Sequence, residues 1–326
     1  MSKLKVSVIG VGHLGSIHAR LWAQNPEVEL VGVRDIISER SQKIAEELNC
    51  LSFDSLESTI KNSDAVTVAV PTSLHWEISK AFIKEGRHCL IEKPITNSYS
   101  EALDLIESAK LKDVVIQVGH VERFNPVIKA IKPYTINPLF IESHRLGQFK
   151  PRARDVSVIH DLMIHDIDII LWLAKSKISS IDASGVSVLS DSIDIANARL
   201  KFENGLVANI TASRISANPM RKMRIFQKDA YISLDFQEHY VEVYKIYDEG
   251  QSSTEGVPAT MLGSIETGVR NRNIYFEKPN VDSINAISEE QIAFVSAINQ
   301  HTPIAVNATE AAEALRVAGE IIRQIE

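Results

Sequence analysis

The chain has 326 residues, 44% of them hydrophobic and 24% charged, with 35 Lys and Arg against 42 Asp and Glu and a formal net charge of −7. That composition excludes disordered and fibrous classes, its acidic balance argues against a nucleic-acid binder held by bulk charge, and its length suits two domains. Cys50 and Cys89 are the only cysteines, too few for a disulfide framework and suited to a reducing cytoplasm.

The opening Met1-Ser2-Lys3-Leu4-Lys5 leads into a short apolar run that breaks at Gly10 and Gly12, so it reads as a first strand rather than a signal peptide. Over the first 118 residues, β-branched runs at Leu4 to Ile9, Val28 to Val33, Ala65 to Val70, His88 to Ile91 and Val114 to Val118 alternate with helix-period segments near 14–24, 38–48, 74–85 and 98–110. Strands alternating with helices predict right-handed βαβ units on a doubly wound parallel sheet, an α/β domain over residues 1–120.

From about residue 139 the rhythm changes to consecutive strand-like runs: Phe140 to Arg145, Val186 to Leu189, Ile195 to Phe202, Leu206 to Ser213, Tyr231 to Phe236 and Tyr240 to Tyr247. Period-two alternation and the Asn204-Gly205 turn predict a mostly antiparallel sheet in an α+β domain over residues 121–326. One helix interrupts, from about Val158 to Leu173; its apolar run from Ile167 to Ala174 contains Asp168 and is far shorter than the roughly 18 residues of a membrane span. The Gly-, Ser-, Thr- and Asn-rich segment from Asp248 to Ser283 reads as long loops, a lid or an intersubunit arm. Two helices close the chain, with capping-box spacing at Ser288/Gln291 and Asn307/Glu310, the last packing back on the first domain.

Gly10-Val11-Gly12-His13-Leu14-Gly15 is a GxGxxG between the first strand and the first helix. Glycines there permit the tight turn, close approach of backbone to a pyrophosphate and close helix–strand packing, while helix N-terminal amides face the phosphates. Asp35, 20 residues beyond Gly15, ends the second strand, where a carboxylate accepts the ribose 2′-hydroxyl and repels a 2′-phosphate. NAD is therefore expected over NADP, although Arg34 and Arg40 flank the position.

Glu92-Lys93-Pro94 stands at the carboxyl end of a strand, where ligands bind in open α/β sheets. In the helix from Val158, Asp161, His165 and Asp168 fall at i, i+4 and i+7 and are expected to share one face of an otherwise apolar element. The expectation is catalysis or, alternatively, a satisfied structural network. No metal is expected, since HExxH is absent.

The GxGxxG with His18 three residues on, Pro71-Thr72 with His75, Glu92-Lys93-Pro94 and Asp161-x-x-x-His165 resemble the Gfo/Idh/MocA oxidoreductase family over nearly the whole chain. The resemblance implies an NAD-binding Rossmann domain over residues 1–120, a C-terminal α+β domain with a large open sheet used for dimer or tetramer contacts, a cleft between the domains, and a cis Lys93–Pro94 bond. It maps the family's lysine to Lys93 and its aspartate and histidine to Asp161 and His165. His165 would remove the hydroxyl proton of a secondary alcohol, Asp161 would orient or charge-stabilise the ring, and Lys93 would hydrogen-bond the reacting oxygen. Pro71, Thr72, His75 and Glu92 would line the cofactor cleft, whereas His18 reads as packing against the sheet.

Seven bases, Arg123, Lys129, Lys132, Arg145, Lys150, Arg152 and Arg154, crowd residues 120–154 against only Glu122 and Glu142. A phosphorylated or anionic substrate held by Arg123, Arg145, Arg152 and Arg154, with Asp168 beside them, is expected, a solvated basic surface being the alternative. Within the family, residues 118–126 and 145–152 are most similar to members that oxidise UDP-N-acetylglucosamine at its 3-hydroxyl. Inositol or another polyol is the second substrate expectation, and a non-catalytic NAD-binding regulator the third reading.

Overall fold

The structure is a computed structural model that describes residues 3–149, 156–248, 250–251, 253–267 and 270–326. The chain forms two compact units, one of Met1–Val121 with Asn285–Arg316 and the other of Glu122–Ile284 with Val317–Glu326.

The first unit runs β1 (Leu4–Ile9), α1 (His13–Gln24), β2 (Val28–Arg34), α2 (Ser38–Leu48), β3 (Leu51–Ser52), α3 (Leu56–Asn62), β4 (Ala65–Val68), α4 (His75–Lys84), β5 (His88–Glu92), α5 (Tyr99–Lys112) and β6 (Ile116–Gly119). Its six strands are parallel in the order β3-β2-β1-β4-β5-β6, the doubly wound arrangement whose chain direction across the sheet reverses between β1 and β4. Every residue of β4 and β6 is buried, as sheets covered on both faces require. Helix ends follow local chemistry. Ser98 and Glu101 form the capping box of α5, and Asn49 and Asp113 end α2 and α5 in the left-handed region. The short β3 and α3 were not expected; Ser55 caps α3 by accepting from the Ser58 amide.

The second unit contains α6 (Pro126–Ala130), β7 (Phe140–Leu146), a π-helical turn Ile159–Met163, α7 (Ile164–Ala174), β8 (Ile178–Val186), β9 (Ile195–Phe202), β10 (Val207–Ser213), β11 (Met220–Phe226), β12 (Ala230–Asp235), β13 (Tyr240–Asp248), β14 (Ala259–Thr267) and β15 (Arg270–Glu277). They form a nine-stranded sheet, β14-β15-β13-β12-β11-β7-β10-β9-β8, antiparallel except for β7 beside β10. Strict alternation in β9 and β12 buries one face. The other carries a half-exposed aromatic ladder, Phe140, Phe226, Tyr231, Tyr244 and Phe276, with successive ring centroids 4.9 to 5.9 Å apart.

Three sequence expectations change here. Strand β8 ends at Val186 rather than beginning there, because Val188 and Leu189 are exposed in a loop held by Asp194. The basic strand β11 sits between β7 and β12. The segment expected to be loops over 248–283 holds the hairpin β14–β15, joined to the sheet through β13.

Helix α8 (Ala286–Asn299) belongs to the first unit, where Phe294 packs beside Trp22, whose indole donates to Thr67 Oγ1 at 2.8 Å. Its cap is Asn285, not Ser288: the Asn285 side chain accepts from the amides of Ile287 and Ser288. Asn307 does cap α9 (Ala308–Ile325), accepting from the Glu310 amide. The residues of α9 are divided between the units after Arg316.

Candidate active site

In the first unit, the carboxyl ends of β1, β2, β4 and β5 carry Gly10–Gly15, Asp35, Pro71-Thr72 and Lys93. Gly10 has φ +82°, and a Cβ on Gly15 would lie 1.7 Å from the Gly10 carbonyl oxygen. A Cβ on Gly12 would meet no protein atom within 4 Å, so packing within the chain does not explain that glycine. Helix α1 starts there with no side-chain cap and no acidic residue in its first turn. Its N-terminal amides and dipole thus face open space suited to an anion. His13 and Leu14 are exposed beside it, and Pro71 and Thr72 lie at the surface end of β4.

Asp35 closes the loop from the second strand. One carboxylate oxygen accepts from the Val11 amide at 2.9 Å and the other from the Ile37 amide at 2.9 Å, which fixes the half-buried group at the ribose end of a dinucleotide laid over the glycines. These residues fit a nicotinamide dinucleotide cofactor.

The Lys93–Pro94 bond is cis, and Lys93 and Glu92 are half-buried at the end of β5. His75 is 1% exposed, its two ring nitrogens each 2.9 Å from a carbonyl oxygen, of Pro94 and of Val70. It therefore ties the end of β4 to the Pro94 turn through backbone. His18 does more than pack. Its Nε2 lies 2.8 Å from Glu92 Oε1, and Gln291 of α8 reaches its Nδ1.

In the second unit the helix bearing Asp161 and His165 does not keep α-helical register. Residues Ile159–Met163 form the π-helical turn, in which the Ile164 amide bonds the Ile159 carbonyl, a feature common at functional sites. Asp161 and His165 are half-buried there, while Asp168 is 1% exposed. Asp161 lines a cavity of about 590 Å³ together with Leu162, Arg145, Arg214, Arg221 and Gln237.

The bases expected on an anionic substrate have other partners. Arg123 pairs with Asp168. Arg145, 3% exposed, donates to Asp166 Oδ2 at 2.6 Å and to Glu122 Oε1 at 3.0 Å. Burial alone would lower the Arg145 pKa, but the two carboxylates more than offset that and raise it. Both arginines thus brace α7, and Arg123, Arg145 and Asp168 have their charges met within the protein. Lys150, Arg152 and Arg154 lie outside the described residues. Among the arginines lining the cavity, Arg221 is half-exposed, 3.7 Å from Glu122.

Two features escaped the sequence reading. Arg214 and Asp194 are both buried and paired at 2.7 Å, and Arg214 also donates to the Val156 carbonyl just before the π-helical turn. Partners 20 residues apart across a turn leave no local spacing to read. Glu290 is fully buried in α8, and the only trace was a carboxylate on the apolar face of a closing helix.

Residues 4–120 match the family model described as an oxidoreductase family with an NAD-binding Rossmann fold, and residues 132–233 match the GFO/IDH/MocA C-terminal domain. The chain is 37% identical over 305 residues to a UDP-N-acetylglucosamine 3-dehydrogenase of Acidithiobacillus ferrooxidans, spanning 93% of this chain and 91% of the relative. It is 27% identical over 234 residues to a scyllo-inositol 2-dehydrogenase (NAD(+)) of Bacillus subtilis, spanning 66% and 68%. A solved structure of the A. ferrooxidans UDP-N-acetylglucosamine 3-dehydrogenase superposes with a TM-score of 0.88 at 33% identity, covering 100% of this chain and 99% of its own.

Proposed function

The chain belongs to the Gfo/Idh/MocA oxidoreductase family, and we propose that it is a dehydrogenase that uses NAD to oxidise the 3-hydroxyl of UDP-N-acetylglucosamine to a 3-keto nucleotide sugar. The observation that carries this reading is the likeness to a UDP-N-acetylglucosamine 3-dehydrogenase along nearly the full length of both chains. The inositol dehydrogenases match over a shorter part. NAD is preferred over NADP because the Asp35 carboxylate would meet a 2′-phosphate with like charge.

Held by the Gly10–Gly15 loop and Asp35, a nicotinamide dinucleotide would supply the acceptor for the hydride of the substrate carbon. The open amides of α1 and the glycine loop hold its phosphates. In this reading the His165 imidazole takes the hydroxyl proton, Asp161 orients the ring and stabilises its charged form, and Lys93 Nζ donates to the reacting oxygen and favours its anionic form. Arg145 and Arg214 keep the helix carrying Asp161 and His165 in place through Asp166 and the Val156 carbonyl. Arg221, the half-exposed arginine of the cavity, is the base left to meet substrate phosphate there.

The protein works in the cytoplasm as a homo-dimer or homo-tetramer through the aromatic face of the nine-stranded sheet. Cys50 and Cys89 are both free, and among the described residues no helix is long and apolar enough to cross a membrane. A ladder of five half-exposed aromatic rings is a surface that a second copy would cover.

The test is NADH formation from NAD and UDP-N-acetylglucosamine, run beside NADP and myo-inositol, with an aminotransferase that consumes 3-keto sugars present to pull the equilibrium. Turnover with the nucleotide sugar supports the proposal, turnover with inositol alone replaces the substrate, and silence with both favours a cofactor-binding regulator.

A further inference from the structure

Three side chains from three separate elements of the first unit converge beneath the end of β5: His18 of α1, Glu92 of β5 and Glu290 of α8. One nitrogen or oxygen from each lies within 4.8 Å of the others. Glu92 is the hub. Its Oε1 meets His18 Nε2 at 2.8 Å and its Oε2 accepts from the Lys93 amide at 3.3 Å. The neighbouring strand makes room for it only by having no side chain at 119, where a Cβ would lie 2.9 Å from Glu92 Oε2. Glu290 is 0% exposed, and neither of its carboxylate oxygens has a hydrogen-bond partner among the described residues.

The hydrogen bonds around His18 fix where the proton must be. Gln291 Nε2 reaches the His18 carbonyl oxygen at 3.1 Å and His18 Nδ1 at 3.2 Å. A carbonyl oxygen only accepts, so the Gln291 atom is the amide nitrogen and His18 Nδ1 is an acceptor. The ring is therefore the uncharged Nε2–H tautomer, and it donates to Glu92. Gln117 of β6, which donates to the Glu290 backbone carbonyl at 2.8 Å, is uncharged as well. A half-buried carboxylate, Glu92, and a fully buried one, Glu290, thus lie close together with no charge supplied by His18 or Gln117, an arrangement that one proton relieves.

We infer that Glu290 is a positioning residue: a neutral carboxylic acid beside the Glu92 carboxylate that, together with His18, holds the end of β5 that presents Lys93. The inference rests on the reading of Lys93 as the residue that meets the reacting oxygen. Burial first and the Glu92 charge second push the Glu290 carboxyl well above the ordinary glutamate range, in agreement with the geometry. Lysine placement depends on this network because Glu92 holds the Lys93 amide with the oxygen that faces away from His18.

The experiment compares Glu290→Gln, Glu290→Ala and Lys93→Met in the full-length protein, with turnover and melting temperature measured across pH and with metal analysis of the purified wild type. Gln keeps a neutral donor in the same place, so Glu290→Gln keeps turnover near the wild-type level, while Glu290→Ala loses roughly 10- to 100-fold through misplacement of Lys93. A carboxyl raised in the folded state contributes stability below its unfolded pKa of about 4.3 and loses that contribution as pH rises. The melting temperature of Glu290→Gln therefore climbs relative to wild type as pH rises above that value. A pH-independent difference, or a Gln variant as impaired as the Ala variant, overturns the neutral carboxyl. A stoichiometric bound metal whose removal by chelator lowers the wild-type melting temperature overturns it too, and assigns the three side chains to a cation instead. Full turnover in Glu290→Ala while Lys93→Met is inactive overturns the positioning role. Full turnover in Lys93→Met removes Lys93 from the chemistry and leaves the pH-dependent melting to decide Glu290 on its own.

Discussion

Arg123 grips Asp168 through two parallel bonds, Nε to Oδ2 at 2.7 Å and Nη2 to Oδ1 at 2.6 Å, with side chains only 5% and 1% exposed. The guanidinium also lies over Trp172 at 5.9 Å from its centroid, so the pair braces α7 from within the second unit. Removing one partner strands a buried charge, at about 3–5 kcal/mol, whereas replacing both with apolar groups of similar volume is often near neutral. Arg123→Met should therefore lower the melting temperature sharply, and Arg123→Met combined with Asp168→Leu should restore much of it. The KM for the nucleotide sugar stays at the wild-type value in the double variant. A stable double variant with a raised KM would return the pair to substrate binding.

His165→Ala should lower turnover by roughly 10²- to 10⁴-fold, the usual contribution of a proton-transfer residue. Binding of NAD, followed by quenching of protein fluorescence, should persist, because the glycine loop and Asp35 belong to the other unit. Unchanged turnover would take the base role away from His165.

How far the chain could be read before folding is clear from particular residues. Gly10 to Gly15 and Asp35 were legible because their geometry is local to one βαβ unit: a turn, a helix start and the next strand end. The partner of Asp168 was not legible because it lies 45 residues away, and neither was the π-helical turn over Ile159–Met163. No residue type in that stretch marks a π turn. Hairpin β14–β15 hid behind Gly, Ser and Asn because edge strands bury little and need little apolar patterning.

Asp35→Ser should shift cofactor choice. The substitution removes the charge that opposes a 2′-phosphate and loosens the bonds to the Val11 and Ile37 amides, while Arg34 and Arg40 remain nearby. The ratio of kcat/KM for NAD over NADP should fall by tenfold or more, at about 1.4 kcal/mol per tenfold. Steady-state rates with each cofactor check it, and an unchanged ratio would place the 2′-position elsewhere.

Acid should loosen the loop that holds the start of the helix carrying Asp161 and His165. Burial would raise the Asp194 carboxyl, but the amides of Val188 and Leu189, Ser190 and the Arg214 guanidinium together lower it well below the ordinary aspartate range. A carboxyl lowered in the folded state contributes stability above its unfolded pKa, about 3.9, and loses it as pH falls toward the folded value. Asp194→Asn should melt below wild type at neutral pH, and the gap should narrow below about pH 4. A gap of constant size across that range would show that the charge of Asp194 is not what holds the loop.

Glu277 should anchor the β14–β15 hairpin. It is fully buried and accepts from Tyr134 at 2.7 Å, Tyr247 at 2.5 Å and the Thr254 amide at 3.0 Å, so it joins the end of β15 to β13, to the segment after α6 and to the approach to β14. Burial first and then its bond to Glu277 push the Tyr247 phenol up to about 12, so the phenol remains a donor throughout the working pH range. Glu277→Ala leaves three donors without their acceptor, each at about 1–3 kcal/mol if it stays buried. Because β14 and β15 end the sheet and pair inward only through β13, that loss should appear locally. Hydrogen exchange should quicken across 259–277 while β7, β10 and β9 keep their protection, since their ladders do not pass through Glu277. Uniform acceleration across the whole sheet would mean instead that Glu277 supports the second unit as one cooperative body.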